Sequence, residues 1–282
     1  MPEPEVVLSG LGIPESPRWH EGRLWFCNWI DRQVVAVGMD GTAEVMLTRD
    51  PASHPMGYSI DWLPDGRLLT TGAKLERQEP DGSMVTIAEQ HANEIVVDAS
   101  GNAYVNGADF DFVAGAPPEP GYIKLVTPDG HLCQVADDIQ FPNGMVITDD
   151  GTLVVAETFA ARLTAFTIQA DGALTDRRVW AQVQPAPEPA DTATMLGAVT
   201  FAPDGCALAA LAIGSCAAPA APPPGTPELT TAMTAPGYPN VHARLRIAQR
   251  APAIPPRDSE IEIWLAGARF HVRDLTGQME QD

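Results

Sequence analysis

Positive charge is scarce in this chain: 17 lysines and arginines stand against 37 aspartates and glutamates, for a formal net charge of −20. Such a surface repels phosphate backbones, so nucleic acid is not an expected partner. Cysteine is sparse too. Cys27, Cys133, Cys206 and Cys216 form no CxxC pair, which excludes zinc-finger and thioredoxin readings. Cys27 and Cys133 lie in apolar, strand-like runs and read as small buried hydrophobes. His20, His54, His91, His131, His242 and His271 never fall at HxH or HExxH spacing, so a histidine-centred metal site is not expected. There is no GxSxG nucleophile elbow and no glycine-rich phosphate loop. No apolar run reaches the length of a membrane span. The opening Met-Pro-Glu-Pro-Glu has neither the basic nor the apolar segment of a secretory signal. A cytoplasmic protein without a membrane partner is therefore expected.

What the chain does have is glycine and proline, 24 and 27 residues, placed between short β-prone runs. Leu24 to Trp29, Val34 to Val37 and Ala43 to Thr48 are separated by Asp31-Arg32 and Asp40-Gly41. The grammar repeats around Pro64-Asp65-Gly66 and Pro80-Asp81-Gly82, then around Ser100-Gly101 and Pro128-Asp129-Gly130, then around Asp150-Gly151 and Asp171-Gly172. Asp-Gly is hairpin chemistry, because glycine adopts positive φ without a Cβ clash. Inner turns (Gly22, Gly66, Gly101, Gly151, Gly205) alternate with outer ones (Gly41, Gly82, Gly130, Gly172). The unit is about 45 residues with about four strands, the signature of a β-propeller. An all-β sandwich is the alternative, but it does not require two alternating turn classes. About six units fit the length, so the expected fold is all-β, a six-bladed β-propeller with its last one to two blades irregular or incomplete.

The pattern fails late in the chain. Between Cys216 and Asp258 lie ten of the 27 prolines, with no Asp-Gly turn and no alternation. Such a stretch is expected to be unable to build central strands. Only Ile261 to Leu265 and Ala268 to Val272 read as strands again. We therefore divide the chain into residues 1–213, propeller blades, and residues 214–282, an irregular proline-rich segment. That segment reads as a divergent insertion, a linker with a terminal element, or the product of a shifted reading frame near Ile213-Gly214-Ser215.

A propeller gathers the ends of its inner strands round a central channel, so polar residues just before those strands converge. Four positions qualify: Glu15, Asn93-Glu94, Asn143 and Asp204, while the second pass offers Ser59 and Asp61 with Tyr58 nearby. Two carboxylates, an amide carbonyl and room for water make a hard-oxygen site suited to Ca²⁺, Mg²⁺ or Mn²⁺, or to Zn²⁺ at lower coordination number. Singly, Asn143 and Asp204 also read as turn residues and Glu15 as an exposed acid. Their shared phase in the repeat distinguishes them.

Glu15-Ser16-Pro17-Arg18-Trp19 followed by Glu21-Gly22-Arg23-Leu24-Trp25-Phe26, then Ala92-Asn93-Glu94-Ile95-Val96-Val97-Asp98, Phe141-Pro142-Asn143-Gly144-Met145 and Ala202-Pro203-Asp204-Gly205-Cys206, resemble in order the motifs of the senescence marker protein (regucalcin) / gluconolactonase family. The resemblance runs over about residues 6–213. It implies a six-bladed propeller with one divalent cation, calcium first, held by Glu15, Asn143 and Asp204. It further implies Asp204 as general base and Asn93, Glu94 and His91 at the substrate. Glu94 stands where the family usually has Asp, and His91 where some members have Arg. The implied reaction is metal-dependent hydrolysis of a lactone, a sugar lactone or similar, to a hydroxy acid. A non-catalytic propeller binding a metal or small ligand, and a phosphotriester hydrolase on the same scaffold, are the alternatives.

Overall fold

The computed structural model describes residues 8–182, apart from residues 9–10, 13, 39, 50–56, 111–115 and 161, and beyond these only the backbone of isolated strands. Four four-stranded antiparallel sheets follow one another along the chain. The first is β1 (Pro14–His20), β2 (Arg23–Asn28), β3 (Gln33–Val37) and β4 (Ala43–Thr48). The second is β5 (Ile60–Trp62), β6 (Leu68–Thr70), β7 (Leu75–Gln78) and β8 (Met84–Ala88). The third is β9 (Ile95–Val97), β10 (Ala103–Gly107), β11 (Gly121–Val126) and β12 (Leu132–Ile139). The fourth is β13 (Pro142–Ile147), β14 (Thr152–Glu157), β15 (Arg162–Ile168) and β16 (Leu174–Gln182), with a short 3-10 helix at Thr158–Ala160 between β14 and β15. In each sheet the strands pair in sequence order, so each is one up-and-down blade. The first strand of each blade touches the first strand of the next. This is a β-propeller, and the alternation of turns in the sequence is its blade repeat.

The turns form where the Asp-Gly steps predict them. Gly22, Gly41, Gly66, Gly82, Gly101, Gly130, Gly151 and Gly172 all have φ between 75° and 85°. The aspartate before such a glycine secures the turn. Asp40, Asp65, Asp81 and Asp171 accept the backbone N–H two residues on at 2.9–3.1 Å.

Alternation within strands sends apolar side chains to both faces of each blade, and the cores lie between blades. Trp25, Cys27, Val34 and Ala36 of the first meet Tyr58, Ile60 and Leu68 of the second. Leu69 and Leu75 meet Ile95, Ala103, Val105 and Val126. Tyr104, Ile123 and Leu125 meet Met145, Leu153, Val155 and Phe166. The remaining face of the first blade, Phe26, Val35 and Val37, is covered by Leu8 and Leu11.

Past residue 182, β17 (Val199–Phe201) and β18 (Ala207–Ala209) form a hairpin, and β17 lies against both β13 and β1. A last sheet has the order β19 (Thr231–Ala232), β22 (Arg269–Asp274), β21 (Ile254–Ala266), β20 (Val241–Ala251). Within the proline-rich stretch no central strand is formed among the described residues: β19 and β20 are edge strands, and β21, which contains Pro255 and Pro256, pairs on both sides only over residues 261–265, at the strand expected over Ile261 to Leu265 and beside the one expected over Ala268 to Val272. Its prolines occupy the strand's first residues, beside the register shift between Gln249 and Ala251, where a missing N–H costs no regular ladder bond. Among the described residues four blades are complete, against the six expected from length.

Candidate functional site

The starts of β1, β9 and β13 share one end of the propeller, and there the ladder is deliberately irregular. In β1, Glu15 pairs with Cys27 but Arg18 with Trp25, so one extra residue is inserted. In β13, Pro142 pairs with Glu157 but Met145 with Val155, the same insertion at the same phase. Bulges of this kind re-aim side chains. Left-handed backbone accompanies them: Ser16 has φ 54° and Phe141 φ 57°. For non-glycine residues such conformations are uncommon and collect at functional sites. Glu15 flanks the first bulge, next to left-handed Ser16, and Asn143 lies inside the second, two residues after left-handed Phe141.

Beneath them lies a buried polar network joining three blades. Glu94 is completely buried. Its Oε1 accepts from Ser16 Oγ, and its Oε2 accepts from Ser59 Oγ at 2.9 Å and from Arg18 Nη2 at 3.3 Å. The Arg18 Nη2 also donates to the Ile95 carbonyl at 2.6 Å. Asn106, fully buried as well, accepts the Glu94 N–H on Oδ1 and donates from Nδ2 to the Asn143 carbonyl at 2.7 Å. The Asn93 carbonyl accepts from Thr71 Oγ1 at 2.9 Å.

The predicted residues thus fall into distinct places. Glu15 and Asn143 stand at matching bulges, with Asn93 at the same end before β9. Glu94 is a buried tie under the site, its oxygens engaged by the protein, and not a wall of it. His91 is exposed. Asp204 lies outside the described residues, in the sequence between β17 and β18. Sequence reasoning named Ser59 in the second pass but missed Ser16, Arg18 and Asn106. Ser16 and Arg18 lay within the first quoted motif, whereas nothing local marked Asn106.

The donor set suits a cation. Burial, reinforced by the nearby Glu94 charge, pushes the Glu15 carboxyl up to about 8. An acid so placed is held ionised only by a compensating positive charge. Asn143 donates its Nδ2 to Thr158 Oγ1 at 3.4 Å, which turns the amide so that its carbonyl oxygen points elsewhere. Carboxylate and amide oxygens are the ligands of hard divalent ions. No cluster of three or more His, Cys, Asp or Glu is assembled among the described residues, which exclude Asp204.

On the rim beside Asn143 stand three phenylalanines. Phe141 and Phe159 stack with centroids 4.5 Å apart and planes at 20°, and Phe110 lies 5.7 Å from Phe141 at 53°.

Fold and site together define a β-propeller with an oxygen-lined polar site at the start of its inner strands. The chain belongs to the SMP-30/Gluconolactonase/LRE-like family, whose model matches residues 13–221. Diisopropyl-fluorophosphatase of the squid Loligo vulgaris is 28% identical over 123 residues, 37% of this chain and 39% of that enzyme, so the match spans well under half of the relative. Among solved structures, a calcium-binding regucalcin from Agrobacterium tumefaciens aligns with TM-score 0.58 at 18% identity, over 74% of this chain and 71% of its own. A gluconolactonase from Xanthomonas campestris aligns with TM-score 0.53 at 20% identity, over 94% and 87%. These likenesses bear on the fold. No helix among the described residues is long and apolar enough to cross a membrane.

Proposed function

We propose that the chain is a hydrolase that opens a lactone to its hydroxy acid with the help of one divalent cation, calcium first. The observation that carries this is the matched pair of bulges presenting Glu15 and Asn143, in a chain whose family model spans residues 13–221. Glu15, Asn143 and Asp204 would hold the cation. Bound there, it would polarise the ester carbonyl and favour the oxyanion. Asp204 is assigned the proton of the attacking water. The water oxygen adds to the carbonyl carbon, the ring C–O bond breaks, and the leaving alkoxide takes up a proton, so no oxidant or reductant is needed. Asn93 positions the substrate, with His91 at the outer rim. Glu94 and Arg18 act one layer below by fixing Ser16 and the start of β9.

The test is a lactone panel followed with a pH indicator, with and without EDTA. Activity should vanish on chelation, return with Ca²⁺, and fall at least about a hundredfold in Glu15→Gln and Asp204→Ala. A calcium-binding protein that turns over no lactone would instead be a ligand-binding propeller. The likeness to diisopropyl-fluorophosphatase favours one further arm. Turnover of phosphotriesters with lactones untouched would assign the same site to P–O or P–F cleavage.

A further inference from the structure

We propose that Phe110, Phe141 and Phe159 form the substrate's substituent subsite, and that the substrate is therefore a lactone bearing an alkyl or aryl group, not a polyhydroxylated sugar lactone. This rests on the hydrolase reading above and specifies its substrate class. Three observations carry it.

The first is position. Phe141 is two residues before Asn143, and Phe159 follows Thr158, whose hydroxyl accepts from the Asn143 amide. Phe110 comes from the loop after β10 on the neighbouring blade. Two blades thus contribute to one aromatic wall beside one candidate ligand. All three rings are partly exposed.

The second is the way the wall is held. Phe141 is left-handed at φ 57°, a conformation that suits Gly or Asn far better than a bulky ring. It is kept there by backbone bonds across the blade: Thr158 N–H to the Phe141 carbonyl and Phe159 N–H to the Gln140 carbonyl, each 3.1 Å. The same two bonds bring Phe159 alongside, so that the stacked pair is built by the backbone and not by chance contact. Unfavourable backbone retained to aim an apolar ring beside a polar site marks a binding surface.

The third is what lies around it. A sugar ring can stack on a phenyl face, but its hydroxyls still need partners, and each one left unpaired on desolvation weakens binding. The strong polar groups under this site are already engaged with one another. Glu94 is taken by Ser16, Ser59 and Arg18, Asn106 by Glu94 and Asn143, and the Asn143 amide by Thr158. On the adjoining rim, Gln90 donates to the Tyr122 hydroxyl and accepts from Lys124. Apart from Asn93 and His91, the side chains named at this corner of blades three and four are these three aromatic rings.

The experiment compares kcat/KM of the calcium-loaded protein for γ-butyrolactone, γ-nonalactone, dihydrocoumarin and glucono-δ-lactone. Alkyl- and aryl-bearing lactones should be preferred to both of the others by about tenfold or more. In Phe159→Ala and Phe110→Ala the ratio of γ-nonalactone to γ-butyrolactone should fall by about tenfold, with thermal melts confirming folded variants. Preference for glucono-δ-lactone, or an unchanged ratio in both variants, overturns the proposal. Calorimetric titration with 3-(2-hydroxyphenyl)propanoate, the hydrolysis product of dihydrocoumarin, and with gluconate separates this from failure of the hydrolase reading. If no lactone is turned over, the hydrolase reading falls. The wall still stands if the aryl acid binds the wild type and not Phe159→Ala, and falls if it binds neither or both alike.

Discussion

Glu94 shows how much of a site can depend on one buried side chain. It joins Ser16 of the first blade, Ser59 before the second and Arg18, while standing at the start of the third. Removing one member of a buried ion pair strands the other charge, at a cost of about 3–5 kcal/mol. Glu94→Ala is expected to lower unfolding free energy by about that amount in urea titrations, and Arg18→Met combined with Glu94→Leu to recover part of it. The sequence marks Glu94, beside Asn93, as a candidate at the substrate, but nothing in it shows the buried tie to its partners. Its partner Arg18 is 76 positions away, beyond any local pattern. The positions of Glu15, Asn93 and Asn143 at the strand starts were legible for the opposite reason, since they follow a repeat that can be counted. Phe110 and Phe159 were not, because lone aromatics between strands carry no period.

At the level of strands and turns, the end of β14 holds Asn143 through Thr158. Glu157, fully buried, receives Arg162 Nε at 2.9 Å, Arg162 Nη2 at 3.0 Å, the Gln140 N–H at 2.8 Å, and the Thr164 hydroxyl. Burial by itself would raise the Glu157 carboxyl, but the hydrogen bonds from Arg162, Thr164 and Gln140 outweigh it and hold the group below its ordinary value. A depressed folded-state pKa gives stability that is present above the unfolded carboxylate value and lost as pH falls through the folded one. Wild type should therefore exceed Glu157→Gln in stability fully at pH 7, by about 3 kcal/mol, with the gap closing below about pH 4.5. Chemical denaturation at several pH values measures this.

The joint between blades three and four is equally tight. A Cβ on Gly121 would fall 2.5 Å from Pro142 Cδ and closer still to the Gly107 carbonyl oxygen. Gly121→Ala should cost about 1–3 kcal/mol and, by displacing Pro142, weaken calcium binding in calorimetry. The sequence carried turn positions well because Asp-Gly chemistry is local. It carried Asp204 ambiguously. Asn93 and Asn143 precede their turn glycines, Gly101 and Gly151, by eight positions, whereas Asp204 directly precedes Gly205. As sequence, Pro203-Asp204-Gly205 reads either as a hairpin turn, like Asp65-Gly66, or as the start of an inner strand, like Asn143-Gly144. The Asp204→Ala assay distinguishes these, since loss of a turn aspartate leaves turnover within a few-fold.

For the molecule as a whole, the net charge of −20 and the raised carboxyl pKa of the partly buried Glu15 both favour a bound cation. Saturating Ca²⁺ should raise the melting temperature in proportion to its binding, and Glu15→Gln should remove most of that rise. Scanning calorimetry with and without EDTA checks it. The blade repeat was legible through residue 182, because every blade there is local in sequence. Of the later strands, the second half of β21 and most of β22 were legible at Ile261 to Leu265 and Ala268 to Val272, whereas β20 and the start of β21 were hidden by prolines and by a long register that no turn signal announces. The reading-frame expectation near Ile213 is settled by translating the nucleotide sequence in all three frames.

Each of the four complete blades takes all its hydrogen-bonded strands from one uninterrupted stretch, and none borrows a strand from the far end of the chain. During synthesis, then, a blade has every strand it needs as soon as its own residues leave the ribosome, and need not wait for the C-terminus. The candidate ligands appear in the same order, Glu15 with the first sheet and Asn143 with the fourth. An error in the message beyond the fourth blade would leave those sheets formed, with the candidate ligands Glu15 and Asn143 in place, while changing the sequence that follows the proposed Asp204.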